Sequence, residues 1–199
     1  VRAYGDVPYF TEMVTTDQVN SLTRTPAQEI FNAIIAECNK LSTELPADYT
    51  KLGLDGIAPA ENGRVTCYAA LALKARAALY AASPLFNPEN NKDLWRRAAE
   101  ANKEVIETCT ANGFKLSKYS ELWGPNNWSN NEMIFVRRYN GNISTLEEYN
   151  FPMGVPGGNS GNCPTQNMVD AYEMKATGKM WNETGSGYDA SNPYAGRDP

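Results

Sequence analysis

Apolar residues recur at three- and four-residue steps near the start of the chain, over about residues 26–45. The stripe consists of Ile30, Phe31, Ile34, Cys38, Leu41 and Leu45. This spacing predicts an amphipathic helix. Thr25 is its predicted N-cap, with Pro26 as the first helical residue and Gln28 as the capping-box partner. Pro46 is expected to stop the helix.

A second helix is predicted over about residues 65–82, where small apolar residues dominate. Its alanines are Ala69, Ala70, Ala72, Ala75, Ala77, Ala78, Ala81 and Ala82, and Leu71 and Leu73 add bulk on neighbouring faces. Small side chains on several faces let other elements approach closely from more than one side. We therefore expect this helix to be central in a helical stack, ending before Pro84.

A third helix is predicted over about residues 92–110, before the stop signal Asn112-Gly113. Its predicted inner stripe consists of Trp95, Ala98, Ala99, Asn102, Val105, Ile106 and Cys109. Successive antiparallel helices with alanine at their contact are the unit of tetratricopeptide-like arrays. The predicted fold class is therefore mainly α, with tetratricopeptide-like helical hairpins packed with an irregular lobe.

The helical periodicity disappears beyond residue 111, where Gly and Asn replace Ala. Short strands are predicted at 114–116 and 132–136, a turn-rich loop at 154–161 and a short helix at 164–174 capped by Thr165. We expect residues 1–110 to form the helical part and residues 111–199 a loop-rich, ligand-binding lobe.

Composition and charge exclude several kinds of function. The chain has 199 residues and 42% hydrophobic content, which are typical of a globular protein. It contains no histidine, which removes catalytic triads, Cys-His pairs and His-ligated zinc. The net charge of -5 argues against a nucleic-acid partner. No run approaches the roughly 18 apolar residues of a membrane helix. No cofactor and no metal are expected.

The cysteines stand at 38, 67, 109 and 163 without a CxxC pair. Buried free thiols are the preferred interpretation, and disulfides stay open if the protein is exported. The chain begins at Val1 and stops at Pro199, directly after Arg197-Asp198, so we expect a portion of a longer protein.

An ordered series of short motifs resembles the SusD/RagB family of Bacteroidetes outer-membrane lipoproteins. The motifs are Tyr4-Gly5-Asp6-Val7-Pro8, Gly63-Arg64-Val65-Thr66, Leu79-Tyr80-Ala81-Ala82-Ser83-Pro84-Leu85-Phe86-Asn87, Trp95 with Ala98-Ala99, Asn131-Glu132-Met133-Ile134-Phe135, Val169-Asp170-Ala171-Tyr172-Glu173-Met174 and Arg197-Asp198-Pro199. Each motif is weak alone, but the ordered set is specific and spans nearly the whole chain.

The resemblance implies a surface protein that binds a nutrient without cleaving it. Family members are anchored by a lipid on an N-terminal cysteine, which would lie outside this fragment. They work over a SusC-type TonB-dependent transporter, and their ligand is usually a glycan, or a peptide in some branches. The family's proteins are much longer, so the chain resembles the middle of a family member, and its two parts together are expected to form one incomplete SusD-like domain.

Aromatic and amide side chains in the loops are the candidate glycan ligands, because rings cover sugar C–H faces and amides bond hydroxyls. The candidates are Trp123, Asn126, Asn127, Trp128, Tyr139, Tyr149, Asn150 and Trp181. The alternative for each is a packed loop residue. Asp170 and Arg197 are interpreted as structural, forming a helix cap or a buried ion pair.

Other candidate chemistry is weaker. Arg137-Arg138 is interpreted as a solvated pair rather than a site for an acidic sugar. Glu147-Glu148 does not suit a glycosidase, because adjacent residues on a strand point to opposite faces. Residues 154–161 lack the Gly-Lys-Ser/Thr ending of a phosphate loop. The open hypotheses are a glycan binder, a peptide binder, a helical-repeat protein adaptor and a glycoside hydrolase.

Overall fold

The computed structural model describes residues 1–49, 64–123, 130–136 and 148–198. The helices in these ranges are α1 (Thr16–Val19), α2 (Ala27–Glu44), α3 (Cys67–Ala82), α4 (Lys92–Ala111) and α5 (Gln166–Asp170), with a 3-10 turn at Tyr119–Trp123 between α4 and α5. The chain divides into a first unit, residues 1–138, and a second unit, residues 139–199. The predicted mainly α class is confirmed, while the ligand-binding role of residues 111–199 stays a prediction.

Helix α3 is the central helix of the first unit, as its alanines predict. Ala75, Ala78 and Ala82 pack on Ala98 and Ala101 of α4. A second set of contacts brings α3 against α2, and its buried members are Ala27, Phe31, Ala77 and Ala81. The alanines occupy opposite sides of the helix, so both neighbours approach closely and bury their apolar stripes.

The capping box predicted for α2 is wrong. Pro26 occupies the N-cap position and provides no side-chain hydrogen bond. The carboxylate of Asp6 accepts the Ala27 N–H instead, with Oδ1 at 2.8 Å. Gln28 Nε2 donates to the carbonyl oxygens of Ala81 at 2.7 Å and Phe86 at 2.8 Å. The glutamine side chain leaves its own helix end because the carbonyls at the end of α3 and in the turn that follows need a donor.

We expect Gln28→Ala to lower the free energy of unfolding by about 1–3 kcal/mol, because it leaves two carbonyls without their donor. Gln28→Glu should be at least as harmful, since an ionised carboxylate only accepts hydrogen bonds. Urea unfolding followed by circular dichroism checks both variants. If Gln28→Glu is as stable as the wild type, the amide does not hold the two helix ends together.

The inner stripe predicted for α4 is partly wrong. Ala98 and Cys109 are buried as expected, and Val105 packs on the α3 contact. Trp95 and Ile106 are instead exposed, and so is Ala99. The buried stripe runs through Leu94, Ala98, Ala101, Val105 and Cys109. Alanines at 98 and 101 match the small residues of α3, whereas the Trp95 ring does not fit between two closely packed helices.

The strands predicted at 114–116 and 132–136 are also absent from the described ranges. A single backbone hydrogen bond joins the two segments, from Lys115 N–H to the Asn131 carbonyl at 3.3 Å. Side chains make the other contacts: Ser117 N–H donates to Glu132 Oε2 at 2.8 Å, and Ser117 Oγ donates to Asn130 Oδ1 at 2.6 Å. These side-chain acceptors replace ladder partners, so no regular strand pair extends.

No helix among the described residues has the length and apolar character needed to cross a membrane.

Candidate functional site

The second unit is built mainly from turns around a buried methionine. Met174 N–H donates to the Lys179 carbonyl at 2.8 Å, and Met174 also forms an isolated bridge with Arg197. The helix predicted over residues 164–174 is therefore shorter: α5 ends at Asp170, because Met174 pairs in an extended conformation. The predicted Thr165 cap is confirmed, since Thr165 Oγ1 accepts the Met168 N–H at 3.4 Å.

Arg197 holds the second unit together, and its side chain is only 7% exposed. Its Nη2 pairs with Asp170 Oδ1 at 3.1 Å. Its other nitrogens donate to the carbonyl oxygens of Pro193 at 3.2 Å, Val169 at 3.3 Å and Tyr172 at 3.1 Å. The predicted structural ion pair of Asp170 and Arg197 is confirmed. The guanidinium joins α5 to the last residues of the chain.

Trp181 is linked to Arg197 through Tyr188. Its ring packs edge-on against Tyr188, with centroids 5.4 Å apart, and the Arg197 guanidinium lies 5.4 Å from the centroid of the Tyr188 ring. Trp181 is half-buried, and its carbonyl accepts a hydrogen bond from Ser186 Oγ at 3.1 Å. The contacts of Trp181 are those of a packed loop residue, and a ligand role for its ring stays a prediction.

A second feature of this unit is the segment 148–162, here called the aromatic loop, which begins with a helical turn at residues 148–150. Its two sides are joined by backbone hydrogen bonds. Asn159 N–H donates to the Glu148 carbonyl at 2.8 Å, Ser160 N–H to Phe151 at 3.0 Å and Asn162 N–H to Tyr149 at 2.8 Å. Met153 N–H also donates to Ser160 Oγ at 2.6 Å. These bonds fix the loop backbone, so its side chains are presented in a defined arrangement.

Tyr149, Asn150 and Asn162 form the candidate site on the aromatic loop. The Tyr149 ring is 56% exposed and lies against Gly161, where a Cβ would come within 2.6 Å of ring atom Cδ1. Asn162 Nδ2 donates to Asn150 Oδ1 at 3.1 Å. One exposed ring and two hydrogen-bonded amides therefore belong to the same short segment. This is the combination of an apolar face and hydrogen-bonding groups that a sugar requires.

Apolar side chains extend this surface toward the tip of the loop. Phe151, Met153 and Val155 are exposed, and Met153 is the most exposed of the three at 79%. The turn carries positive φ angles at Gly154 and Gly157, of 103° and 83°, which glycine adopts without strain. The candidate site therefore has a polar side at the two amides and an apolar side at the tip.

The structure brings together only part of the predicted ligand set. Tyr149 and Asn150 lie side by side, and Trp123 is the last residue of the 3-10 turn. Asn126, Asn127, Trp128 and Tyr139 lie outside the described residues. Asn162 belongs to the candidate site, and it is not among the ligand residues predicted from the sequence. Its partner stands twelve positions away, and no periodicity predicts that pairing.

The described residues contain no group of three or more side chains suited to hold a metal ion. One carboxylate of the second unit has a shifted pKa. The hydroxyl and the amide of Ser191 both donate to Asp189, which lowers the pKa of that carboxyl. Asp189 is therefore ionised at neutral pH and has no proton to donate. Its hydrogen bonds with Ser191 stabilise a local turn.

Comparison with known proteins places the fold. No family model matches the chain, and no curated protein matches it. Among solved structures, a SusD-like protein from Bacteroides fragilis NCTC 9343 superposes with a TM-score of 0.70 at 25% sequence identity. The match covers 98% of this chain and 37% of that protein. The chain has a SusD-like fold and spans little more than a third of its structural relative's length.

Proposed function

We propose that the chain binds a nutrient glycan at the aromatic loop and does not cleave it. The distribution of exposed aromatic side chains carries this proposal. Helices α2, α3 and α4 present one exposed aromatic residue, Trp95. Three more, Tyr4, Tyr9 and Phe10, lie before α1, and the described residues after 111 present the larger set of Tyr119, Phe135, Tyr149, Phe151, Tyr172 and Tyr194. A protein adaptor would carry its aromatic residues along the helices, so this arrangement favours a ligand in the loops.

The chemistry of the aromatic loop suits a sugar. The exposed Tyr149 ring offers a flat apolar surface for C–H groups, and the amides of Asn150 and Asn162 offer donors and acceptors for hydroxyls. The backbone hydrogen bonds of the loop reduce the entropy lost when a ligand orders these groups. A capture role needs none of the proton transfers of hydrolysis.

The wider biological role is proposed from the SusD-like fold. We place the intact protein on the outer-membrane surface, held by a lipid anchor and passing its glycan to a SusC-type TonB-dependent transporter. The SusD-like neighbour from Bacteroides fragilis supports this role. Co-purification of the intact protein with a TonB-dependent transporter from the native membrane would support it, and isolation of a monomer without transporter would contradict it.

Affinity electrophoresis against a panel of soluble polysaccharides tests the binding function. We expect the chain to be retarded by at least one polysaccharide, with no release of reducing ends during incubation. Retardation by none of them would contradict glycan binding, and release of reducing ends would show a hydrolase.

Tyr149→Ala should weaken binding to the retained glycan about tenfold or more, because the stacking surface is lost. Tyr149→Phe keeps the ring and should retain most of the affinity. Tyr4→Ala is the matched control, since Tyr4 is an exposed tyrosine of the first unit. Calorimetry measures all three variants. Equal losses in Tyr149→Ala and Tyr4→Ala would exclude the aromatic loop as the site.

A peptide ligand is the second candidate, and one observation favours it. Phe151, Met153 and Val155 expose an apolar surface beside the amides. Such a surface suits apolar side chains better than sugar hydroxyls. Calorimetry with mixed oligopeptides separates the two: binding of peptides without binding of any polysaccharide would move the ligand class from glycan to peptide.

A further inference from the structure

Two cysteines lie at neighbouring ends of packed helices, Cys67 in the first turn of α3 and Cys109 in the last turn of α4. These helices run antiparallel, because Ala82 at the end of α3 packs with Ala98 near the start of α4. Lys74 and Glu104 then pair at mid-length, with Nζ and Oε2 2.6 Å apart. Cys67 lies seven residues before Lys74 on α3, and Cys109 lies five residues after Glu104 on α4, so the two cysteines are offset by about 3 Å along the helix axes.

Contacts around the two cysteines confirm this register. Phe114 N–H donates to the Cys109 carbonyl at 3.0 Å, so Phe114 is fixed to the end of α4. The Phe114 ring packs on Tyr68, with centroids 4.9 Å apart. Tyr68 directly follows Cys67 in the chain. Tyr68, the neighbour of Cys67, therefore contacts Phe114, whose N–H is hydrogen-bonded to Cys109.

The alanine-rich interface sets a spacing that a disulfide can bridge. Helices with small residues at their contact approach to about 8 Å between axes, and Cα atoms lie about 2.3 Å from each axis. Cα atoms on the line between the axes would then be about 3.4 Å apart, and the offset of about 3 Å along the axes raises the separation to about 4.5 Å, within the Cα range of a disulfide, about 4.4–6.8 Å. Bulkier residues at the contact would have separated the helices beyond this reach.

Both thiols are free in the structure, with Cys109 buried and Cys67 half-buried. Burial raises the pKa of each thiol, and a charge on Cys67 would raise the pKa of Cys109 further. The remaining cysteines lie elsewhere: Cys38 is buried on α2, and Cys163 is exposed in the second unit. Cys67 and Cys109 thus form a distinct neighbouring pair.

We propose that Cys67 and Cys109 are a redox modification site, at which a disulfide-bearing oxidant forms a bond between α3 and α4. The thiolate of one cysteine attacks a sulfur of the oxidant's disulfide and releases one oxidant thiol. The thiolate of the second cysteine then attacks the mixed disulfide and releases the other oxidant thiol. Two protein thiols are oxidised, one oxidant disulfide is reduced to two thiols, and the protein's protons end on those leaving thiols.

The test uses the full chain carrying Cys163→Ser, which removes the exposed thiol. The reduced protein is incubated with oxidised glutathione at about pH 9.5, because burial raises the pKa of both thiols above the ordinary value and the thiolate is the attacking form. Peptide mapping should then find Cys67 joined to Cys109, with Cys38 still reactive toward maleimide after denaturation. The bond should raise the melting temperature of the helices by about 5–10 °C, and reduction should reverse the rise.

Variants make the test decisive. Cys67→Ala and Cys109→Ala, each in the same background, should lose both the linked peptide and the temperature shift. Cys38→Ala should keep both. A link between Cys38 and either partner would overturn the proposal. Stable glutathione adducts on unlinked Cys67 and Cys109, or a temperature shift that persists in Cys67→Ala, would overturn it as well.

Discussion

Replacing Arg197 by alanine should unfold the second unit while leaving the helices of the first unit intact. The change leaves Asp170 without its cationic partner and the carbonyl oxygens of Pro193, Val169 and Tyr172 without their donor. Removing one partner of a largely buried ion pair costs about 3–5 kcal/mol. Hydrogen exchange of the amides in residues 166–198 should accelerate strongly, whereas exchange in α2, α3 and α4 should not change.

Two other variants separate charge from geometry. Arg197→Lys restores the charge but not the several donors of the guanidinium, so its stability should fall between those of the wild type and Arg197→Ala. Arg96→Ala is the matched control, since Arg96 pairs with Asp93 and Glu100 on the exposed face of α4. It should leave the stability almost unchanged, because exposed ion pairs contribute little. An Arg197→Ala protein with unchanged exchange in residues 166–198 would show that the second unit does not depend on the guanidinium.

Phe31→Ala should destabilise the first unit by about 3–5 kcal/mol. The Phe31 side chain is buried between α2 and α3, where it packs with Ala77 and Ala81. Its ring also meets Phe86 edge-on, with centroids 5.1 Å apart. The neighbouring alanines are too small to fill the cavity left by the ring. Urea unfolding followed by circular dichroism at helical wavelengths measures the loss.

Phe135→Ala is the control for Phe31→Ala, because the Phe135 side chain is 57% exposed. It should change the free energy of unfolding by less than about 1 kcal/mol. A similar small loss in Phe31→Ala would mean that the α2 and α3 contact is not the core of the first unit.

The helices were predictable because periodicity and stop residues are local signals. Thr66 caps α3 through Oγ1 on the Ala69 N–H, and the start of α4 at Lys92 agrees with the prediction. The errors arose where a tertiary partner competes with a local one. Gln28 bonds the distant carbonyl of Ala81 rather than its own helix end, and the alanines of α3 exclude the Trp95 ring from the interface.

The candidate site was less predictable than the helices. Tyr149 and Asn150 were identified by residue type alone, since aromatic rings and amides suit a sugar in any loop. Asn162 was missed because its hydrogen bond to Asn150 depends on how the loop folds back on itself. Trp181 was also predicted as a ligand residue from its type, but its ring packs against Tyr188. Composition does not distinguish a packed ring from an exposed one.

Hydrogen exchange of the full chain, with and without its retained glycan, directly tests whether the glycan binds at the aromatic loop. The amides of Asn159, Ser160 and Asn162 close the aromatic loop, so ligand binding there should slow their exchange. The slowing should approach about 100-fold at a glycan concentration 100 times Kd. We expect protection in residues 148–162 and unchanged exchange in α2, α3 and α4. Protection along those helices, with none in the aromatic loop, would contradict this expectation.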